Sequence, residues 1–288
     1  MPQKMLVLFR YLTYVRCLLI NLGMLIGLSH EIPLIGTKVR DARPNELPFV
    51  VSIARRAQSN DTHFVNRHFC TGTLISRRNV LTAAHCFAKI LLNNTEVIAG
   101  STDVRLGDKY SLESGITYDN WKKKKSGLKD LLENDIMVLT LAGKGVDCHE
   151  SHLAKILTFA PTDLYGSTVR IAGWGYSPED VSPFVLRTAV LTVLNNEECG
   201  KRASVLVRKN MTPLENHFCS VATPSVVLTC GDSGAPTLSK RNQVVGINRG
   251  CYPSLLGYPV WYQRLHQINV HLHLYYYRNF IRDVITTS

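Results

Sequence analysis

Apolar residues in this chain come in short clusters broken by turn signals, and only rarely in stripes of helical spacing. From Glu46 onward, residues 47–53, 73–76, 79–82, 96–99, 136–141, 168–172, 185–194 and 243–247 read as strands. They recur at short intervals with no long helical segments between them. This favours an all-β barrel or sandwich over a parallel sheet with crossover helices. Two exceptions stand out. A short helix is expected after Asn196, and Tyr277, Phe280, Ile281, Val284 and Ile285 follow the i, i+3, i+4, i+7, i+8 spacing of a terminal helix with one apolar face. No internal repeat or low-complexity linker interrupts the pattern.

Composition changes this picture little. The 288 residues are 45% hydrophobic and 19% charged, enough for a sizeable core in one large domain or two small ones. The formal net charge of +11 admits an anionic partner or simply a basic surface. Its densest run, Lys122 to Lys125 beside Trp121, reads as a solvated loop tip. A nucleic-acid surface would need basic and aromatic residues spread over one face, so no nucleic-acid partner is expected.

The amino terminus indicates the compartment. Lys4, Arg10 and Arg16 precede an apolar stretch from Cys17 to Ser29, with Gly27 and Ser29 as small residues near a cleavage point. Residues 1–29 therefore read as a secretory signal; the apolar stretch is short for a bilayer span, which needs about 20 residues. Neither a stable membrane association nor a later span is expected. Of eight cysteines, Cys17 lies in this leader; the other seven should be largely disulfide-bonded in an exported chain, with one left over. Asn60, Asn93 and Asn210 stand in Asn-X-Ser/Thr acceptor sites for glycan.

Three blocks carry chemistry. Ser233 lies between Gly231-Asp232 and Gly234, where glycines permit a tight turn that exposes the hydroxyl and lets backbone N–H groups approach a substrate carbonyl. A serine hydroxyl needs a base, and His85, before Cys86, is the candidate. An imidazole in that role needs a carboxylate to hold one tautomer; Asp135, opening the run Asp135-Ile136-Met137-Val138-Leu139, is the candidate. Metal-ligand spacing around His85 is lacking, so neither metal nor cofactor is expected.

These blocks, in the order His, Asp, Ser, resemble the trypsin/chymotrypsin family of serine proteases. The likeness covers roughly Pro48 to Ile285 and includes Cys70-Thr71-Gly72-Thr73-Leu74-Ile75-Ser76, Ala83-Ala84-His85-Cys86, Ala172-Gly173-Trp174-Gly175 and the terminal helix. The resemblance implies two six-stranded antiparallel β-barrels with a C-terminal helix over 48–288, after an N-terminal or pro-segment at 30–47. It implies a secreted endopeptidase with His85, Asp135 and Ser233 as catalytic set and the N–H groups of Gly231 and Ser233 as oxyanion hole. It further implies disulfides Cys70–Cys86, Cys199–Cys219 and Cys230–Cys251, leaving Cys148 over. Expected partners are protein or peptide substrates, serpin-type inhibitors and an activating protease.

The chain also departs from the family. Cys230 abuts Gly231 directly, where family members have one residue between. The pocket floor, acidic in trypsins, falls on Val227 or Leu228, and the wall on Asn248, Arg249 and Gly250. No counter-ion for Lys or Arg is present there, so the specificity should not be trypsin-like. No clear activation sequence precedes Pro48; Ile35-Gly36-Thr37-Lys38 is the nearest fragment. Residues 266–274 look like extra material before the terminal helix. An alternative is a non-catalytic homologue that uses the same fold for binding.

Overall fold

The computed structural model describes residues 39–57, 67–126, 134–157, 160–175, 183–222, 226, 228–229, 231–252 and 267–287. The expected signal, Asn60, Val227 and Cys230 lie outside them.

The first barrel is built from β2 (Val50–Arg55), β3 (His68–Leu74), β4 (Asn79–Thr82), β5 (Thr95–Ala99), β6 (Asp108–Thr117) and β7 (Met137–Leu141). They close antiparallel in the order β2-β3-β4-β7-β6-β5. The walls are β-branched and aliphatic because the interior is dry: Val51, Ile53, Val80, Leu81, Val138 and Leu139 are fully buried. Each such side chain gains about 1.5–3 kcal/mol by leaving water. β2 starts later than its apolar run suggests. Asn45 and Leu47 adopt left-handed φ values of 60° and 57°, so the chain turns there before it extends.

The second barrel comprises β8 (Thr168–Gly173), β9 (Arg187–Leu194), β10 (His217–Val221), β11 (Pro236–Leu238), β12 (Val244–Tyr252) and β13 (Ile268–His273). Neighbours run β9-β10-β13-β12-β11-β8, and pairing of β8 with β9 closes the ring; β1 (Val39–Asp41) adds to the free side of β9. β13 corrects one expectation: most of 266–274 is a central strand paired on both sides, not an insertion.

Among the described residues there are three α-helices: α1 (Tyr118–Ser126), α2 (Asn196–Val207) and α3 (Arg278–Thr287). Asn195 caps α2 by accepting from the N–H of Glu198 at 2.8 Å. α1 corrects a second expectation, since the lysine run is helical and not a loop tip. Its first turn is anchored by Tyr118 and Trp121, and Lys122 Nζ lies 5.7 Å from the Tyr118 ring centre. α3 follows its predicted stripe: Phe280, Ile281 and Val284 are buried, and Phe280 packs on Tyr118 and Trp121. The last helix of the chain thereby clamps the first barrel. Among the described residues no helix is long and apolar enough to cross a membrane.

Candidate active site

The two barrels meet along a cleft, and each contributes part of it. His85 sits on a 3-10 turn (Ala84–Phe87) just after β4. Its loop is tied to β3 by the Cys70–Cys86 disulfide, with sulfurs 2.02 Å apart. Asp135 enters β7 from the other side. Ser233 lies in the turn before β11, and this turn is docked on the first barrel. The Thr71 N–H donates to Ser233 O at 2.9 Å, and Thr71 Oγ1 donates to Gly231 O at 2.8 Å. Gly234 has φ +79°, and a Cβ there would meet Thr71 O and Thr82 Oγ1 at 2.3 Å. Only glycine permits so close an approach between barrels.

The structure brings the three candidate residues together. His85 Nδ1 lies 2.6 Å from Asp135 Oδ2, the His85 N–H donates to Asp135 Oδ1 at 2.7 Å, and His85 Nε2 lies 2.9 Å from Ser233 Oγ. A carboxylate only accepts, so the proton sits on Nδ1 and Nε2 is left to accept from the serine. Burial pushes the Asp135 carboxyl up, but the bonds from His85 and the nearby charge of Arg249 outweigh it and hold the group below its usual value. The His85 side chain is 45% exposed and that of Asp135 only 11%, so the base faces the cleft while its support is shielded.

Asp232, beside the serine, is fully buried. It accepts from the N–H of Gly175 at 2.8 Å and of Thr229 at 3.0 Å. A Cβ on Gly173 or Gly175 would meet its carboxylate at 2.3 or 2.1 Å, which explains the glycines flanking Trp174. Burial raises its pKa to about 6 against those bonds. Beside it His68 is buried between Ser52 Oγ at 2.7 Å and Gly231 O at 3.1 Å, and burial drives its pKa down to about 4.

This geometry and the barrel pair coincide with a sequence match. The family described as Trypsin matches residues 37–270. The chain belongs to the trypsin family. Human serine protease 41 is 30% identical over 231 residues, 69% of each chain. Mouse neutrophil elastase is 28% identical, covering 78% of this chain and 77% of that one. In fold the chain is similar to mouse neuropsin, described as a serine protease of the limbic system, with TM-score 0.64, 19% identity and coverage of 86% and 99%. Human heparin binding protein gives TM-score 0.60 at 22% identity, covering 87% and 96%.

Against this trypsin-family background the remaining expected residues are distributed differently. Cys199–Cys219 forms, tying α2 to β10. Cys148 is unpaired among the described residues, and the partner expected for Cys251 falls outside them. Leu228, expected at a pocket floor, is 2% exposed and packs in the barrel core with Leu164, Phe218 and Val245. Asn248, expected on the wall, is also buried. It braces the serine turn, with Nδ2 donating to Asp232 O at 3.0 Å and its carbonyl accepting from the Gly234 N–H at 2.8 Å. Arg249 turns towards Asp135, with Nε 3.9 Å from Oδ2. Cys70, His85 and Cys86 lie close enough to hold a metal ion, but the disulfide occupies both sulfurs.

Sequence reading missed one supporting network. The Tyr277 hydroxyl donates to Asn134 Oδ1 at 3.0 Å, and Asn216 Nδ2 reaches Tyr277 Oη at 2.7 Å and Asn134 Oδ1 at 3.3 Å. These groups fix the residue preceding Asp135. Only the position of Tyr277 on the apolar stripe was visible beforehand, and that stripe predicted packing, not a polar contact.

Proposed function

We propose that the protein is a serine endopeptidase. The observation that carries this reading is the unbroken chain of contacts from Asp135 through His85 to the Ser233 hydroxyl. In the proposed mechanism His85 Nε2 takes the hydroxyl proton as Ser233 Oγ attacks the scissile carbonyl carbon. Asp135 holds the imidazole tautomer and stabilises the imidazolium. The N–H groups of Gly231 and Ser233 donate to no acceptor among the described residues and are available to the developing oxyanion. Each such donor is worth about 3 kcal/mol in the transition state. His85 then protonates the leaving amine, and water repeats the cycle on the acyl-enzyme.

The specificity is not trypsin-like. From Asn216 to Arg282 the sole acidic residue is Asp232, and it is buried beneath the serine turn. A Lys or Arg side chain would be buried without a counter-ion, at a cost of several kcal/mol. Small or medium apolar side chains are the preferred class at the scissile residue. Asp232, buried where it accepts from the N–H groups of Gly175 and Thr229, also suits a latent form completed by a freed amino-terminal ammonium, which supports an activating protease as a partner. The leader, the disulfides and the exposed acceptors Asn93 and Asn210 support secretion and glycosylation.

The test is labelling of the protein, collected from the medium of expressing cells, with a serine-directed fluorophosphonate before and after limited trypsin treatment. Labelling at Ser233 that disappears in His85→Ala is the expected outcome. Absence of labelling in both samples would transfer the reading to the binding homologue.

A further inference from the structure

A second recognition feature lies beside the reacting groups. Strand β12 carries a register shift against β13: Asn248 faces His271 and Gly250 faces Val270, leaving Arg249 without a partner in the ladder. A bulge of this kind re-aims the extra side chain. Here it turns Arg249 out of the sheet to one wall of a cleft of about 270 Å³, whose other walls include Met211, Pro213, Leu214, His217 and Tyr252. Arg249 is the only charged residue among those lining it.

Among the described residues Arg249 makes no hydrogen bond to an anion. Its Nε is buried without a hydrogen-bond acceptor, and the carboxylate oxygen it faces, on Asp135, is 3.9 Å away and already engaged by His85 among the described residues. Its side chain is 35% exposed, so the guanidinium remains reachable from solvent. His217, on the same cleft, is held neutral by burial and by Arg249 itself. The Glu197 and Glu198 carboxylates of α2 are paired with Lys201 and Arg202. Glu215 is exposed and faces Tyr276.

We infer that Arg249 and this cleft form a subsite for an acidic side chain of the peptide substrate, close to the scissile bond. The inference rests on the endopeptidase reading and adds a substrate class to it. Arg249 touches Asp135, Asp135 touches His85, and His85 touches Ser233, so the subsite lies within a few residues of a bound peptide whose rise is about 3.3 Å per residue. A carboxylate supplies the acceptors that a guanidinium uses in paired fashion. The apolar walls hold the side-chain stem and exclude water.

The test uses peptides matched at the scissile residue, with Glu or its isostere Gln at each of the three positions on either side of the bond. At one position Glu should raise kcat/KM over Gln by about 10-fold or more, the usual worth of a charge-assisted hydrogen bond. Arg249→Gln should bring that ratio to about one, and Arg249→Glu should invert it in favour of Gln. Equal cleavage of all Glu and Gln peptides, or a ratio unmoved in Arg249→Gln, would overturn the inference while leaving the endopeptidase reading intact. The same peptides are measured for binding to Ser233→Ala by fluorescence anisotropy. Preferential binding of Glu peptides, where the unsubstituted protein cleaves none of them, would keep the subsite and remove the enzyme; indifferent binding would remove the subsite in either case.

Discussion

The two barrels have the same strand count and closure but are filled differently. The first is lined mainly by aliphatic side chains, with Leu139, Val138, Leu81 and Ile53 at its centre and His68 as its one buried imidazole among the described residues. The second buries imidazoles and amides. His271 sits between Ser220 Oγ at 2.7 Å and Thr237 Oγ1 at 3.0 Å. His217 Nε2, Gln267 Oε1, the Asn269 amide and His273 Nε2 are buried without a partner among the described residues. A buried polar atom without a partner costs about 1–3 kcal/mol. The same barrel holds the serine turn and the bulge at Arg249. The difference teaches where each kind of work is located: the first barrel is a rigid mount for base and carboxylate, and the second spends stability on recognition.

The largest expected effect tests whether the barrels act as one machine. Ser233→Ala, from the second barrel, and His85→Ala, from the first, should each lower kcat by about 10⁶-fold, and the double variant should be no worse. Steady-state kinetics on a cleavable peptide would check it; substantial turnover in either single variant would break the link between barrels.

Next in size is the clamp on the first barrel. Phe280→Ala removes a fully buried ring packed on Tyr118 and Trp121. It should cost about 3–5 kcal/mol of stability by denaturant unfolding. A loss below about 1 kcal/mol would show that the terminal helix is not part of that core.

Acid should separate the barrels. In the second barrel burial lowers the pKa of His217 and His273 to about 4 and of His271 to about 3, below the ordinary 6.5, whereas in the first barrel His68 alone is lowered, to about 4. The unfolded chain then binds more protons once pH falls below 6.5, so stability present above that value is lost on the way down to about 4. The loss is about 1 kcal/mol per pH unit for each histidine. Asp232, raised to about 6, has the opposite sign: its burial becomes less costly as pH falls through 6, which offsets part of the loss. Hydrogen exchange at pH 5 against pH 7 should show the amides of β10 and β13 losing protection before those of β4 and β7. Equal loss in both barrels would remove the contrast.

The smallest effect concerns the seam. Tyr277→Phe deletes the hydroxyl bonded to Asn134 and Asn216. About 1 kcal/mol of stability should be lost, with a lower kcat and little change in KM, because the loop before Asp135 loosens without touching substrate. Unchanged kcat would confine Tyr277 to packing.

The same contrast explains what was legible. The first barrel was readable because its strands obey apolar patterning: 79–82 and 136–141 overlap β4 and β7. β6 escaped because most of its side chains are exposed or half-buried and polar, as in Asp108, Lys109, Ser111 and Glu113. β13 escaped because its buried face carries His271 and His273, which patterning assigns to solvent. Its neighbour β10, and β11 beyond β12, were equally silent. The lysine run misled because charge said loop, while the helix was set by Tyr118 and Trp121 packing beneath it. For the site, motif order sufficed to select His85, Asp135 and Ser233. The bulge that aims Arg249 depends on register between β12 and β13, and the burial of Leu228 and Asn248 on the closure of a barrel. Neither property belongs to a short window of sequence.

Tyr277 gives the fold an order in time. A ribosome delivers Asp135 and its loop early, but the hydroxyl that fixes the neighbouring Asn134 lies 143 positions further along the chain. A nascent or truncated polypeptide that has closed the first barrel therefore still lacks the fastening beside its carboxylate. Synthesis of this distant segment and alignment of the cleft become one event, so a chain that stops short of Tyr277 lacks the ordered site.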